Sequence, residues 1–352
     1  MRDNITRILI ETTVRRMLRE MKDSPERNAR NLVDMALHFS EGRFQQHFFQ
    51  IAQEILCNEN SSYYELIRDA VSTIDTDRLV TFGINLGYNS CTLGAKTIRN
   101  TESDQHFYIP WSLTLMIDTE QYPLRRESYF SVVSQGKAMG IYTYLIFSTG
   151  KPLTLLSLVK EHPDCAFLLF CPADGITKGL LKQARELPNL MFAIRYEEGA
   201  NAVCGALRED HFMFAVYMPY KKEDAEDIIN GRLLCKIGKI HPAFTFFVSD
   251  ISCPKEIQHS VYRYINDTRQ RQAYATIPMD IIFDNQQIDR IISDESYNVG
   301  FDEKGYLYTL RGKEMGKEYN LFANDLANIL KLAFPMHTQN ENAEQSEALS
   351  LC

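Results

Sequence analysis

Six short apolar runs recur along the middle of the chain, at residues 111–117, 141–147, 165–171, 190–195, 212–218 and 243–249. Each is six or seven residues long and rich in β-branched and aromatic side chains. Runs that are apolar along most of their length, rather than at every second residue, belong to strands buried on both faces, as in a parallel sheet. Parallel neighbours need a crossover, and helical stretches at 127–139, 153–161, 176–187, 200–209, 222–230 and 255–271 supply it. Such crossovers are right-handed. Turn sequences such as H-P-D, P-A-D-G and C-P introduce several of the helices. Six βα units can close into a partial barrel or lie flat as a doubly wound sheet, and the periodicity does not separate the two.

Residues 109–152 show the unit at its clearest. I-P-W-S-L-T-L-M-I-D is a strand, E-S-Y-F-S-V-V-S-Q-G-K-A-M a helix closed by Gly140, and I-Y-T-Y-L-I-F the next strand. In parallel α/β proteins the chemistry sits in the loops after the strands. Here those loops are T-E-Q-Y-P-L-R-R at 119–126 and Ser148, Thr149, Gly150, Lys151, Pro152.

The flanks read differently. Residues 1–105 form an all-helical domain, with Ser24 and Pro25 opening one helix and Asp75 capping another. G-I-N-L-G-Y-N-S-C-T-L-G, starting at Gly83, follows no strand and lacks the G-K-[ST] ending of a phosphate loop, so it reads as an irregular connection where backbones pack closely. Residues 101–106 form a polar linker, 106–275 the βα domain, and 276–335 an extension with a hairpin (297–301 and 306–310) and a closing helix. Residues 336–352 form a polar, disordered tail.

Composition bounds the function. A net charge of −8 excludes a general nucleic-acid binder; the first 30 residues are slightly basic and leave −11 for the rest. No run approaches the length of a membrane span, and the start has no uninterrupted apolar stretch of a secretory signal, so the chain is expected in the cytoplasm with reduced thiols. His38 and His47 lack an i, i+4 partner for a helical metal pair. Asp280, Asp284 and Asp289 lack the spacing and glycine of a calcium loop. Neither G-x-S-x-G nor H-E-x-x-H is present.

The ordered segments I-P-W-S-L-T-L-M-I-D, Q-G-K-A-M-G-I-Y-T-Y-L-I-F, E-H-P-D-C-A-F-L-L-F and L-P-N-L-M-F-A-I, behind a helical start, resemble radical S-adenosylmethionine enzymes over residues 20–330. The resemblance is nearest to a bacterial subgroup with a helical N-terminal extension. It implies a partial (βα)6 TIM-like barrel. It also implies a C-x3-C-x2-C loop after the first strand for a [4Fe–4S] cluster, a G-G-E-P loop after the second strand for the methionyl amine, and in many members a cysteine-bearing hairpin near the C-terminus.

Residue by residue, the resemblance fails at these loops. None of residues 119–126 is cysteine. An iron–sulfur cluster selects thiolates, and Tyr, Pro and Arg are no substitute. Ser148, Thr149, Gly150, Lys151 and Pro152 stand where the family has G-G-E-P, with Lys151 reversing the charge of the carboxylate. The hairpin has no cysteine. Cys171 and Cys253 are the only weak alternative for a metal or redox pair, without metal-like spacing.

The expectation is therefore a degenerate radical-SAM-like barrel without cofactor, a ligand-binding, regulatory or partner module rather than an enzyme. Its ligand candidates are Asp118, Arg195, Glu197, Tyr217 and Asp250, on a polar mouth that also holds Glu198, Tyr220 and Ser252. Its expected partner is an intact radical SAM enzyme or that enzyme's substrate, with no nucleic acid and no membrane. The alternatives are an active radical enzyme with unusual cluster ligands, which alone would require S-adenosylmethionine and [4Fe–4S], and a non-radical enzyme using the polar mouth.

Overall fold

The computed structural model describes residues 2–336 apart from Phe39 and Glu41, so the expected tail lies outside the described residues beyond Met336. The helical start comprises α1 (Arg2–Met21), α2 (Pro25–His38), α3 (Arg43–Cys57), α4 (Tyr63–Thr73) and α5 (Thr76–Ile84). A π-helical segment (Asn85–Gly94) follows, and α6 (Ala95–Gln105) replaces most of the expected linker. The βα units run β1 (Ser112–Ile117), α7 (Tyr122–Met139), β2 (Thr143–Ser148), α8 (Leu156–Glu161), β3 (Ala166–Cys171), α9 (Lys178–Ala184), β4 (Leu190–Arg195) and α10 (Ala200–Glu209). They continue through β5 (Phe214–Tyr220), α11 (Ala225–Ile229), α12 (Arg232–Gly238), β6 (Phe244–Ser249) and α13 (Lys255–Arg271). The chain closes with β7 (Ile277–Asp280), α14 (Ile281–Ser293), β8 (Gly300–Phe301), β9 (Leu307–Thr309), β10 (Gly312–Lys313) and α15 (Leu326–Ala333). No helix among the described residues is long and apolar enough to cross a membrane.

Strand order separates the two architectures. The sheet runs β10-β9-β8-β1-β2-β3-β4-β5-β6-β7, and β1 to β7 are parallel in chain order. A doubly wound sheet reverses order at a switch point; this one does not. Right-handed crossovers in unbroken order leave the crossover helices on one face. The packing agrees. Leu115, Ile146, Leu169, Phe192 and Val216 share a core with Val133, Val159, Leu181, Leu207 and Ile265 of the helices. The alternate residues Leu145, Leu168, Phe170, Met191, Ala193, Ala215, Tyr217 and Phe246 form a second, inner core.

The inner core also measures the curl. Phe170 on β3 and Phe246 on β6 are three strands apart, as are Phe147 on β2 and Tyr217 on β5. On a flat sheet three spacings are about 14 Å. The ring centroids are 5.6 and 6.2 Å apart, so the sheet curls strongly and these rings meet across the inside of an open barrel. This is the partial barrel that the sequence resemblance implies. The unexpected β7, I-P-M-D, carries Pro278 at the sheet edge, where a missing N–H is tolerated. The hairpin joins this sheet, because β8 pairs in parallel with β1. Asp302 shapes its turn, accepting from the Lys304 and Tyr306 amides at 3.0 and 2.8 Å, and Gly305 supplies φ +82°.

The last helices of the N-terminal region plug the lower end of the barrel. Asp75 caps α5 by accepting from Arg78 N. Arg78 is 4% exposed and donates to the Leu187, Ala184 and Arg185 carbonyls at 3.0, 2.8 and 2.9 Å, with its guanidinium 4.0 Å from the Phe212 ring centroid. Asn85 donates to the Pro163 and Cys165 carbonyls, and Asn89 to Asp164. Gly94 lies against Gly140: a Cβ on either would run into the other's carbonyl oxygen, which is the close backbone packing expected around residues 83–99. Phe82 joins the inner core, while Ala95 and Ile98 join the outer one, so helices and strands share both cores.

Two buried carboxyls join α6 and α14 to the entry of β1. Glu102 accepts from Ile109 N at 2.8 Å, and Asp289 from Trp111 N at 2.9 Å and Tyr297 N at 3.2 Å. Burial outweighs these donors and pushes Asp289 up to about 8 and Glu102 to about 7. Both folded pKa values lie above those of the unfolded chain. The folded state therefore holds these protons more tightly, and stability falls as pH rises from about 4 to about 8. Urea unfolding should give a lower midpoint at pH 8 than at pH 5. Glu102→Gln, which keeps the acceptor for Ile109 N, should flatten part of that slope; an unchanged slope would show that Glu102 does not contribute.

Candidate functional site

The upper ends of the strands carry the residues singled out by the sequence. Asp118 follows β1 and folds its own loop: Oδ1 accepts from Glu120 N at 2.9 Å and Gln121 N at 3.4 Å, and its carbonyl accepts from Tyr122 N at 2.9 Å. The helix thus begins at Tyr122, not at 127, and the first loop is only residues 118–121. Pro123 is no obstacle, since a first-turn proline gives up no helical hydrogen bond. Tyr122, 2% exposed and stacked on Tyr129, anchors that turn in the outer core.

The second loop is fastened to the first. Thr149 N donates to the Ile117 carbonyl at 3.1 Å, and Ser148 Oγ to the Phe170 carbonyl at 3.3 Å. Gly150 packs on Thr119, whose hydroxyl occupies the place a Cβ would take. Pro152 is buried and begins a 3-10 turn. Lys151 is exposed and makes no ion pair among the described residues.

The expected ligand candidates divide. Met191 and Ala193 face the inside, so Arg195, two residues on, does too. It stands beside Tyr217 in the strand register. Arg195 Nε lies 3.5 Å from Glu197 Oε2, and Glu197 Oε1 accepts from Ala173 N at 3.0 Å. Tyr217 is 8% exposed, and its hydroxyl pKa is raised, chiefly by burial. Its ring meets Phe170 edge-on at 5.3 Å, and Phe170 is stacked on Phe147 at 4.2 Å. Arg195, Glu197 and Tyr217 therefore form one group over an aromatic floor. Asp118 and Asp250 serve their own loops instead; Asp250 Oδ1 accepts from Ser252 N at 2.9 Å and Ser252 Oγ at 2.5 Å.

Tyr220, expected on the rim, is fully buried, and its hydroxyl donates to Asp280 Oδ2 at 3.2 Å. Asp280 also caps α14, accepting from Ile282 N and Phe283 N, and burial lifts its pKa to about 6. Arg269 grips Asp284 at 3.0 and 2.8 Å, and Asp284 Oδ2 accepts from Asp280 N. A carboxylate immediately before I-I-F was a legible cap signal. The pairing with Tyr220 and Arg269 had no local signal.

The cysteines do not converge on the loops. Cys171 is fully buried in the outer core with Cys204, and burial pushes its thiol well above the ordinary range. Cys253 lies after β6, with Asp250, Asp280 and Glu223 as its charged neighbours. No group of three His, Cys, Asp or Glu side chains among the described residues is placed to hold a metal. A [4Fe–4S] cluster needs close thiolates, and neither 118–121 nor 148–152 holds a cysteine, so these two loops do not fit a cluster.

No family model matches the chain, and no curated protein matches it. Among solved structures it is similar to Streptococcus suis SuiB bound to S-adenosylmethionine, at 11% identity and a TM-score of 0.47 over 67% of this chain. This chain spans just under two thirds of that one, 66%. It is similar to SuiB bound to the precursor peptide SuiA, at 10% identity and a TM-score of 0.48 over 67% of each chain. It is also similar to native anSMEcpe with bound AdoMet and Cp18Cys peptide, at 11% identity and a TM-score of 0.41 over 65% of this chain and 85% of that one.

Proposed function

We propose that this chain is a radical-SAM-like barrel without cluster or cofactor, working in the cytoplasm as a non-catalytic binding or partner module. The observation that carries the reading is the lock between its first two loops. The first is four residues without a thiol, and Thr119 fills the space beside Gly150. The inner face adds support: Phe147, Phe170, Tyr217 and Phe246 occupy it with rings where a bound cofactor would need room. What remains open is the rim. Arg195 and Glu197 offer a charged pair there, and the exposed Leu124 in the first turn of α7, Leu153 in the 3-10 turn after β2 and Ile251 after β6 lie at the same strand ends. Charged groups bordered by exposed apolar side chains suit a partner chain, such as an intact radical enzyme or its substrate.

Anaerobic reconstitution with iron and sulfide tests the reading. The expected result is iron far below one cluster per chain, no broad visible absorption band, and no heat on titration with S-adenosylmethionine. Stoichiometric iron with a band lost in Cys171→Ala or Cys253→Ala would overturn it.

A further inference from the structure

Away from the mouth, a cleft of about 510 Å³ opens on the outer wall between α10 and α12. Its polar lining is Tyr196, Asn201, Arg208, Lys236, Lys239 and His241. The volume is that of an ordinary small-ligand site, about 300–1,000 Å³. Three features set its chemistry. The lining holds three permanent cations and no carboxylate, in a chain of net charge −8. Arg208 is pinned through both terminal nitrogens to Asp69 of α4, so its position is fixed and its charge largely offset; Lys236 and Lys239 are exposed and supply the net charge. The His241 ring also lines the cleft, with its Nδ1 turned away from solvent.

Lysines in a last helical turn ordinarily complement the helix dipole. That accounts for Lys236 on α12 taken alone. It does not account for cations from two helices and a following turn lining one cleft with a tyrosine, an amide and an imidazole ring. The carbonyls at the end of α12 do not repel an anion strongly, because Lys239 N, Ile240 N and His241 N already donate to Lys236, Ile237 and Gly238.

We propose that this cleft binds a small phosphorylated anion, with Lys236 and Lys239 meeting the phosphate oxygens and Asn201 and His241 completing the donor set. Gly205 marks the floor. A Cβ built there meets nothing within 4 Å, so a larger side chain extends into the cleft without displacing the protein.

Isothermal titration with inorganic pyrophosphate, and in parallel with ADP, tests the site on the full chain. One-to-one binding is expected with at least one of the probes. The double variant Lys236→Glu with Lys239→Glu should weaken it at least tenfold. Gly205→Leu keeps every charge and favours the helix; it should weaken binding by a similar factor while leaving the melting temperature unchanged or higher. Tighter binding of ADP than of pyrophosphate would assign the nucleoside to the Tyr196 side. Absence of heat with both probes, a stoichiometry above one, or binding indifferent to Gly205→Leu would each overturn the proposal, the last two by showing only diffuse attraction to surface lysines.

Discussion

Arg78→Ala is expected to lower stability by about 3–5 kcal/mol, because charge-assisted hydrogen bonds to buried carbonyls contribute about 1.5–3 kcal/mol each and are not fully additive. Arg78 makes three such bonds and covers the Phe212 ring. The guanidinium is desolvated enough for its pKa to be lowered to about 10, so part of the gain is already offset by the cost of burying the charge. Arg78→Lys should recover little. A single ammonium cannot reach the Leu187, Ala184 and Arg185 carbonyls at once, whereas a planar fork can. Urea unfolding checks this. A loss below about 1 kcal/mol would mean that α5 is held under the barrel by its apolar contacts alone.

The second large effect belongs to the inside of the barrel. Phe170 is 1% exposed and touches Phe147, Tyr217 and Phe246, the rings that meet across the curl. Phe170→Ala should cost about 3–5 kcal/mol, the usual range for emptying a ring-sized space in a core. Phe147→Ala should cost clearly less, because Phe147 is only half-buried. A Phe170→Ala loss no larger than that of Phe147→Ala would show that these rings line an accessible chamber rather than a packed core, and would reopen the inside of the barrel as a ligand site.

The composition of the first two loops was legible in the sequence. Thiols are needed at close spacing, and no folding can supply them to 118–121. Lys151 likewise carries its charge wherever the loop goes. The start of α7 was less legible, because Y-P-L-R-R looks like loop to a reader who treats proline as a breaker. Its first-turn position and the burial of Tyr122 decided otherwise. Arg195, Glu197 and Tyr217 were nameable as strand-end residues, but their grouping depended on register and curl. Tyr220 was misplaced for a simple reason: the side-chain period of a strand is two, and one residue's difference from the inner set turned it to the helix side and Asp280. The basic cleft had no local signal, since its residues are spread over 196–241.

The sequence alone determined the parallel βα succession, because all-apolar strands of six or seven residues cannot be satisfied with one face in water. It also determined that the loop after β1 carries no thiol, because covalent identity does not depend on fold. The tertiary structure decided the rest. Strand order and the meeting of Phe170 with Phe246 made the sheet a curled, singly wound barrel. Arg78, Asn85 and Asn89 made the N-terminal helices its plug. These are contacts between residues tens to a hundred positions apart. Propensity and periodicity act over a few residues, and only the packed chain brings such distant groups into hydrogen-bonding range.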